Sequence, residues 1–255
     1  MTSDTYTAGR VAVVTGAGSG LGRAGALALL AQGWSVALAG RRADALKETV
    51  ALAGGSAARA IPLPTDITNP SEVAELFGTV ENRFGRLDLL FNNAGAAVPR
   101  SPIDEILVED WNRVIDTIVT GAFLCAQQAF RVMQAQSPSG GRIINMGAPS
   151  AHAPRPHAIA YTTAKHALLG LTRALSLDGR ECGIACGQID VGNVAPPDGS
   201  PQPAARQADG ALAVEPTIPM ERFTESLVLM ASMPLDTNIQ YLTVLPTTMP
   251  FVGRG

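Results

Sequence analysis

A chain of 255 residues with 46% hydrophobic and only 16% charged side chains has the makeup of a well-buried α/β fold, and its net charge of −3 offers no attractive field to nucleic acid or anionic lipid. No apolar run approaches the roughly 18–20 residues of a membrane span, and residues 1–9 lack the apolar stretch of a secretory signal, so a cytoplasmic protein with neither a nucleic-acid nor a membrane partner is expected. Cys125, Cys182 and Cys186 are odd in number and lack metal-ligand spacing, which reads as free thiols in a reducing compartment and no metal.

Arg10 to Thr15 is a short β-branched run, followed by Gly16-Ala17-Gly18-Ser19-Gly20-Leu21-Gly22 and an Ala/Leu-rich helix to Gln32-Gly33. A glycine loop between a buried strand and a helix lets backbone amides approach a pyrophosphate at the positive helix end. Gly16, Ser19, Gly20, Leu21 and Gly22 are therefore candidate cofactor ligands. A second strand, Ser35 to Ala39, ends in Gly40-Arg41-Arg42. An acid at such a strand end accepts ribose hydroxyls and repels a 2′-phosphate, whereas arginine pairs with that phosphate. Arg41 and Arg42 thus predict NADP(H) in preference to NAD(H), with an arginine that only caps the next helix as the plainer reading.

A helix (Ala43 to Leu52), a strand (Ala60 to Leu63), Thr65-Asp66-Ile67, a helix (Pro70 to Phe84) and a strand (Leu87 to Phe91) ending in Asn92-Asn93-Ala94-Gly95 come next. A long apolar helix around Trp111 to Met133 precedes a strand at Arg142 to Met146. His152 to Ala160 carries two prolines and reads as a loop. From Tyr161, Ala164, Leu168, Leu171 and Leu175 recur at helical steps until Asp178-Gly179 ends the helix. Tyr161 and Lys165 share one face of it, about a turn apart, and the ammonium is expected to lower the tyrosine pKa from roughly 10. After a strand at Gly183 to Ile189, Asp190 to Val214 is rich in Pro, Gly, Ala and Gln and has no periodic segment. A loop that long beside a sheet is a candidate substrate lid, placed at residues 190–215. A helix (Met220 to Met233) and a strand (Ile239 to Val244) complete the pattern. Strands alternating with long helices predict one doubly wound Rossmann-type α/β domain over residues 1–255, with a parallel seven-stranded sheet and helices on both faces.

Four segments in this order, Thr15 to Gly22, Asp66, Asn92 to Gly95, and Tyr161-Thr162-Thr163-Ala164-Lys165, resemble the short-chain dehydrogenase/reductase family over essentially the whole chain. The resemblance implies that Asp66 meets the adenine amino group, that Ile67 also belongs to the cofactor site, and that Asn92, Asn93, Ala94 and Gly95 support the central sheet and line the cofactor. Lys165 would hold the nicotinamide ribose and bias Tyr161 toward giving or taking a proton. It also implies a homotetramer or homodimer packed through the Trp111 and Tyr161 helices. The family's serine, thirteen residues before the tyrosine, is here Ala148, and its helix-bending asparagine, which holds a relay water, is Ile118. The family's Pro-Gly after the sixth strand reads Val191-Gly192, which the resemblance places at the cofactor, and the threonine four residues on is Pro196.

The cofactor half of the signature is thus intact, while the reaction half keeps Tyr161 and Lys165. Losing one carbonyl-polarising donor costs on the order of 2.7–4 kcal/mol of transition-state stabilisation. Ser150, two residues past Ala148, would share its face in an extended segment. Three readings stay open: an oxidoreductase acting on an imine or iminium, or on a bulky hydrophobic ketone held by binding energy; a nucleotide-binding protein without redox chemistry; and a reductase whose active site was altered by engineering or divergence. Met146, with Ile118 and Ala148, would enlarge or dry the pocket. Asp190 is either a loop cap or, if buried, an acid facing the site, and His152 and His157 are exposed loop residues or general acids.

Overall fold

The structure is a computed structural model that describes residues 9–196 and 199–252. The first strand, β1 (Val11–Thr15), is buried along its length, and its side chains divide by parity: Ala12 and Val14 enter one hydrophobic layer, Val11 and Val13 the other. A strand apolar on both faces must be covered on both, and helices do so here.

In chain order the elements are β1, α1 (Gly20–Ala31), β2 (Ser35–Gly40), α2 (Ala43–Leu52), β3 (Ala60–Pro64), α3 (Pro70–Phe84), β4 (Leu89–Asn92), α4 (Val108–Ile115) and α5 (Gly121–Ala135). They continue with β5 (Gly141–Met146), α6 (Ile159–Asp178), β6 (Ile184–Val191), β7 (Ala205–Arg206), β8 (Leu212–Ala213), α7 (Met220–Ser232) and β9 (Tyr241–Val244). Seven strands form one parallel sheet in the order β3-β2-β1-β4-β5-β6-β9, the doubly wound α/β architecture expected. Helices α1 and α7 cover one face through Leu29, Leu30, Phe223 and Leu227, and α3 and α5 cover the other through Val73, Phe77, Ala126 and Met133. The chain winds outward from β1 in one direction and from β4 in the other, so a crevice opens between their carboxyl ends.

Local chemistry explains the clearest boundaries. Asn69 caps α3 by accepting from the Ser71 amide at 3.0 Å, Pro70 supplies the first helical residue, and Gly85 ends the helix at φ 71°. Two stretches depart from expectation. The helix around Trp111 to Met133 is two helices joined by a π-helical turn, Asp116–Thr120. The segment from Asp190 to Val214 is not structureless: β6 runs on to Val191, Val194 bridges Ile218, and β7 and β8 pair as a small antiparallel hairpin. Its turn is built on Asp209-Gly210, where Gly210 has φ +89° and Asp209 Oδ1 accepts from the Ala211 amide at 2.9 Å. Cys125 and Cys186 are buried, Cys182 is half-buried, and all three are free. Among the described residues no helix is long and apolar enough to cross a membrane.

Candidate active site

The glycine loop at the end of β1 is required by packing. Gly16 has φ +68°, and a Cβ on Gly22 would lie 2.3 Å from the Gly16 carbonyl oxygen and 2.4 Å from Asn93 Nδ2. Asn93 donates through Nδ2 to Thr15 O at 2.8 Å, while Thr15 Oγ1 accepts from the Asn93 and Ala94 amides at 2.9 and 3.0 Å. One polar clamp therefore joins the ends of β1 and β4 at the switch point. Arg23 ties the loop from outside: it donates to Gly18 O at 2.6 Å and pairs with Glu48 of α2 at 2.6 Å. No sequence motif marks Arg23, because its side-chain partners on α2, Glu48 and Thr49, lie about 25 residues away.

A groove of about 890 Å³ opens on this loop. Gly16, Ser19, Leu21 and Gly22 line one side, Arg41 and Arg42 the end of β2, and Asp66, Ile67, Asn93, Ala94 and Gly95 the remainder. Gly20 starts α1 without lining the groove. The Asp66 carboxylate is held by the Thr68 amide and hydroxyl at 3.0 and 2.8 Å.

Beyond Gly95 lies a second cavity, about 340 Å³. Tyr161 lines it together with Ala148, Ser150, His157, Val191 and Gly192, and the loop from Ala96 to Arg100 forms the far wall. Lys165 is buried behind Tyr161, with Nζ 5.4 Å from the ring centroid and donating to Met146 O at 2.5 Å. Burial pushes the Lys165 ammonium down to about 8, against an opposing pull from Asp190. It also pushes the Tyr161 phenol up to about 12, with the Arg155 and Arg100 guanidiniums pulling down and Asp190 pushing up. The expected lowering of the tyrosine pKa by lysine is therefore reversed. Removal from water outweighs the nearby charges.

Other expectations change in detail. Ser150 lies in a short 3-10 turn, Pro149–Ala151, so it does not share a face with Ala148 through an extended chain, although both line the cavity. The Met146 side chain belongs to the main core and not to the cavity, and its role at the site is carried by its carbonyl oxygen. Ile118 sits in the π-helical turn and packs with Val114, Ala122, Ala160, Ala164 and Leu168, so the helix is distorted here without an asparagine. His157 lines the cavity at φ 58°, an unusual conformation for a residue with a side chain.

Asp190 is no loop cap. It is the penultimate residue of β6, fully buried, accepting from Gln188 Nε2 at 2.8 Å and meeting His152 Nε2 at 2.8 Å. His152 remains partly open to solvent but is bound to this carboxylate. A buried ion pair, Arg155 with Glu215 at 2.6 Å, ties the cavity loop to the segment after β8. Burial raises the Glu215 carboxyl, but hydrogen bonds from Asn193, Gln207 and Arg155 outweigh it and hold the group below its usual range.

A doubly wound parallel sheet with a glycine loop at its switch point defines a Rossmann-type α/β fold. The family model for short chain dehydrogenases matches residues 10–205. An uncharacterised oxidoreductase of Escherichia coli (strain K12) is 35% identical over 215 residues, 84% of this chain and 83% of that protein. Among solved structures, a metagenomic short-chain oxidoreductase in complex with NADP aligns with a TM-score of 0.79 at 24% identity, covering 94% of this chain and 98% of that one. NAD+-bound xylitol dehydrogenase aligns with a TM-score of 0.83 at 24% identity and the same coverage. The chain belongs to the short chain dehydrogenase family of oxidoreductases.

Proposed function

We propose that the protein is an NADP(H)-dependent oxidoreductase acting on a small hydrophobic carbonyl or alcohol, or on an imine or amine. The observation that carries this reading is the placement of Tyr161: its side chain lines a cavity next to the glycine cradle, with Lys165 enclosed behind it. The cradle fits a dinucleotide, because Gly16 and Gly22 let the loop pack closely on itself and on Asn93, which leaves its backbone lining the groove. Gly16, Ser19, Leu21 and Gly22 would hold the diphosphate, Asp66 and Ile67 the adenine, Asn93 to Gly95 and Lys165 the ribose-nicotinamide half, and Arg41 and Arg42 a 2′-phosphate. A nicotinamide dinucleotide, when bound, supplies or takes up hydride.

The chain's own part is proton chemistry. Tyr161 gives its phenol proton to a reduced oxygen or nitrogen, or accepts one in the reverse direction, and Lys165 steadies the charge that develops. Apolar walls from Ala96, Val98, Ile106 and Ala148 favour a hydrophobic substrate. With Ala148 unable to donate, a substrate that already carries positive charge, such as an iminium, has less need of polarisation than a ketone. A nucleotide-binding protein without turnover is the second reading, favoured by the methyl at 148 and the hydrocarbon around Ile118. Self-association through α4 and α6, as a dimer or tetramer, is part of the proposal and is read by sedimentation.

Fluorescence titration with NADPH and NADH, followed by turnover of hydrophobic ketones and cyclic imines, tests the reading. Binding of NADPH at least tenfold tighter than NADH is expected, with turnover abolished by Tyr161→Phe. Undiminished turnover in that variant removes Tyr161 from the mechanism, and NADPH binding with no turnover of either substrate class selects the second reading.

A further inference from the structure

A Cβ on Gly147 would stand 1.9 Å from Asp190 Oδ1 and 2.5 Å from Gln188 Nε2, so the carboxyl group of Asp190 fills the space where any other residue at 147 would begin its side chain. Gly147 directly follows Met146, whose carbonyl oxygen accepts from Lys165. The carboxylate and the ammonium therefore lie against the same strand end, on successive residues of the chain leaving β5.

Both groups are enclosed, and an ion taken out of water costs several kcal/mol unless charge and hydrogen bonds answer it. Each oxygen of Asp190 is engaged, Oδ1 by Gln188 and Oδ2 by His152. Behind Gln188 the polar set continues inward: Gln188 Oε1 lies 3.1 Å from Thr172 Oγ1, and Asn145 Nδ2 donates to that hydroxyl at 2.9 Å. The carboxyl group has no freedom to turn away. On the lysine's side, neighbouring positions of α6 (Ala160, Ala164 and Leu168) pack on Val114, Ile118 and Ala122, hydrocarbon that offers no partner. Among the described residues, Lys165 donates to the Met146 carbonyl on β5 and lies beside the Tyr161 ring on its own helix, and the Asp190 charge on β6 acts on it from the other side of Gly147. Of the titratable groups nearby, His152 is hydrogen-bonded to Asp190, and the Arg155 and Arg100 charges act on Tyr161.

We propose that Asp190, locked by Gln188 and His152, is a positioning residue of the reaction centre: the buried counter-ion that keeps the Lys165 ammonium charged and in place beside Tyr161. This rests on reading Tyr161 and Lys165 as the acid–base pair. It gives Gly147, Gln188 and His152 a common purpose, and it supplies from β6 an electrostatic partner where position 118 supplies hydrocarbon.

The chain contains two lysines, Lys47 and Lys165, and Lys47 is exposed on α2, so labelling lysine with 13C at Cε leaves two assignable signals. Titrating the cofactor-free protein by NMR reads the Lys165 ammonium without any turnover. The expected wild-type midpoint is about 8. In Asp190→Asn, which keeps the shape and removes the charge, it should fall by about one pH unit or more while Lys47 stays put. An unmoved Lys165 midpoint overturns the proposal. If Asp190→Asn does not fold, the double variant with Lys165→Met decides. Recovery of folding when both charges are removed supports the pair, and failure of the double variant to fold overturns it. Tyr161→Phe tests the underlying reading separately, since a loss of turnover there says nothing about the Lys165 midpoint.

Discussion

A methyl group at position 148 leaves the hydroxyls of Ser150 and Tyr161 in the cavity wall. Ala148 has φ −170°, an extended backbone that a serine adopts without strain, so Ala148→Ser adds a donor at little structural cost. For a ketone this should raise kcat/KM by about 10²-fold, the usual worth of one oxyanion donor, whereas turnover of a cyclic imine should change little. Parallel steady-state assays on both substrate classes check it, and equal gains for the two would remove the argument that substrate charge replaces the donor. The same scale shows where residue patterns stop being informative. Tyr161 and Lys165 were visible because one helix turn relates them, but the sign of the tyrosine shift was not, since neighbour charge can be read from spacing and burial cannot. Asp190 and His152 stand thirty-eight positions apart, and nothing local to either announces the other.

Helices α2 and α3 run over the residues that their sequence signals mark, because their boundaries are local: a Gly-Arg-Arg turn before one, Asn69-Pro70 and Gly85 around the other. The π-helical turn at Asp116–Thr120 has no comparable signal, as no proline or glycine lies within it, and the apolar pattern runs through. The hairpin of β7 and β8 was obscured by its size, with two residues on each side of the Asp209-Gly210 turn, although that dipeptide is itself a hairpin signal. What holds this hairpin region to the cavity is Glu215, which accepts from Asn193 and Gln207 and pairs with Arg155. Breaking a buried pair by removing one partner costs about 3–5 kcal/mol. Glu215→Ala should lower the melting temperature, speed amide exchange across residues 199–215 and raise KM, while the affinity for the proposed dinucleotide at the separate groove should not change. Unchanged exchange in that segment would show that other contacts anchor it.

At the scale of the whole molecule, a sheet buried on both faces encloses groups that must stay neutral for the fold to persist. Burial pushes the Cys125 and Cys186 thiols up to about 12 from their ordinary 9, and the Tyr161 phenol up to about 12 from 10. Between those values the folded chain keeps protons that the unfolded chain has released, so stability falls as pH rises. Lys165 acts in the opposite sense. Its ammonium is lost near 8 in the folded state and at 10.5 when unfolded, so over that window the unfolded chain binds the extra proton and stability rises with pH. The lysine contribution is complete by about 10.5, whereas the thiols and the phenol continue to about 12. The net expectation is a gain or plateau from pH 8 to 9 followed by a progressive loss above it. Urea midpoints measured across pH 7.5 to 11 should show that turnover, and replacing Cys125 and Cys186 by alanine should flatten the alkaline limb even if it lowers the starting stability. A limb that is equally steep in the double variant would mean that the buried thiols do not drive alkaline unfolding and that surface charge repulsion does.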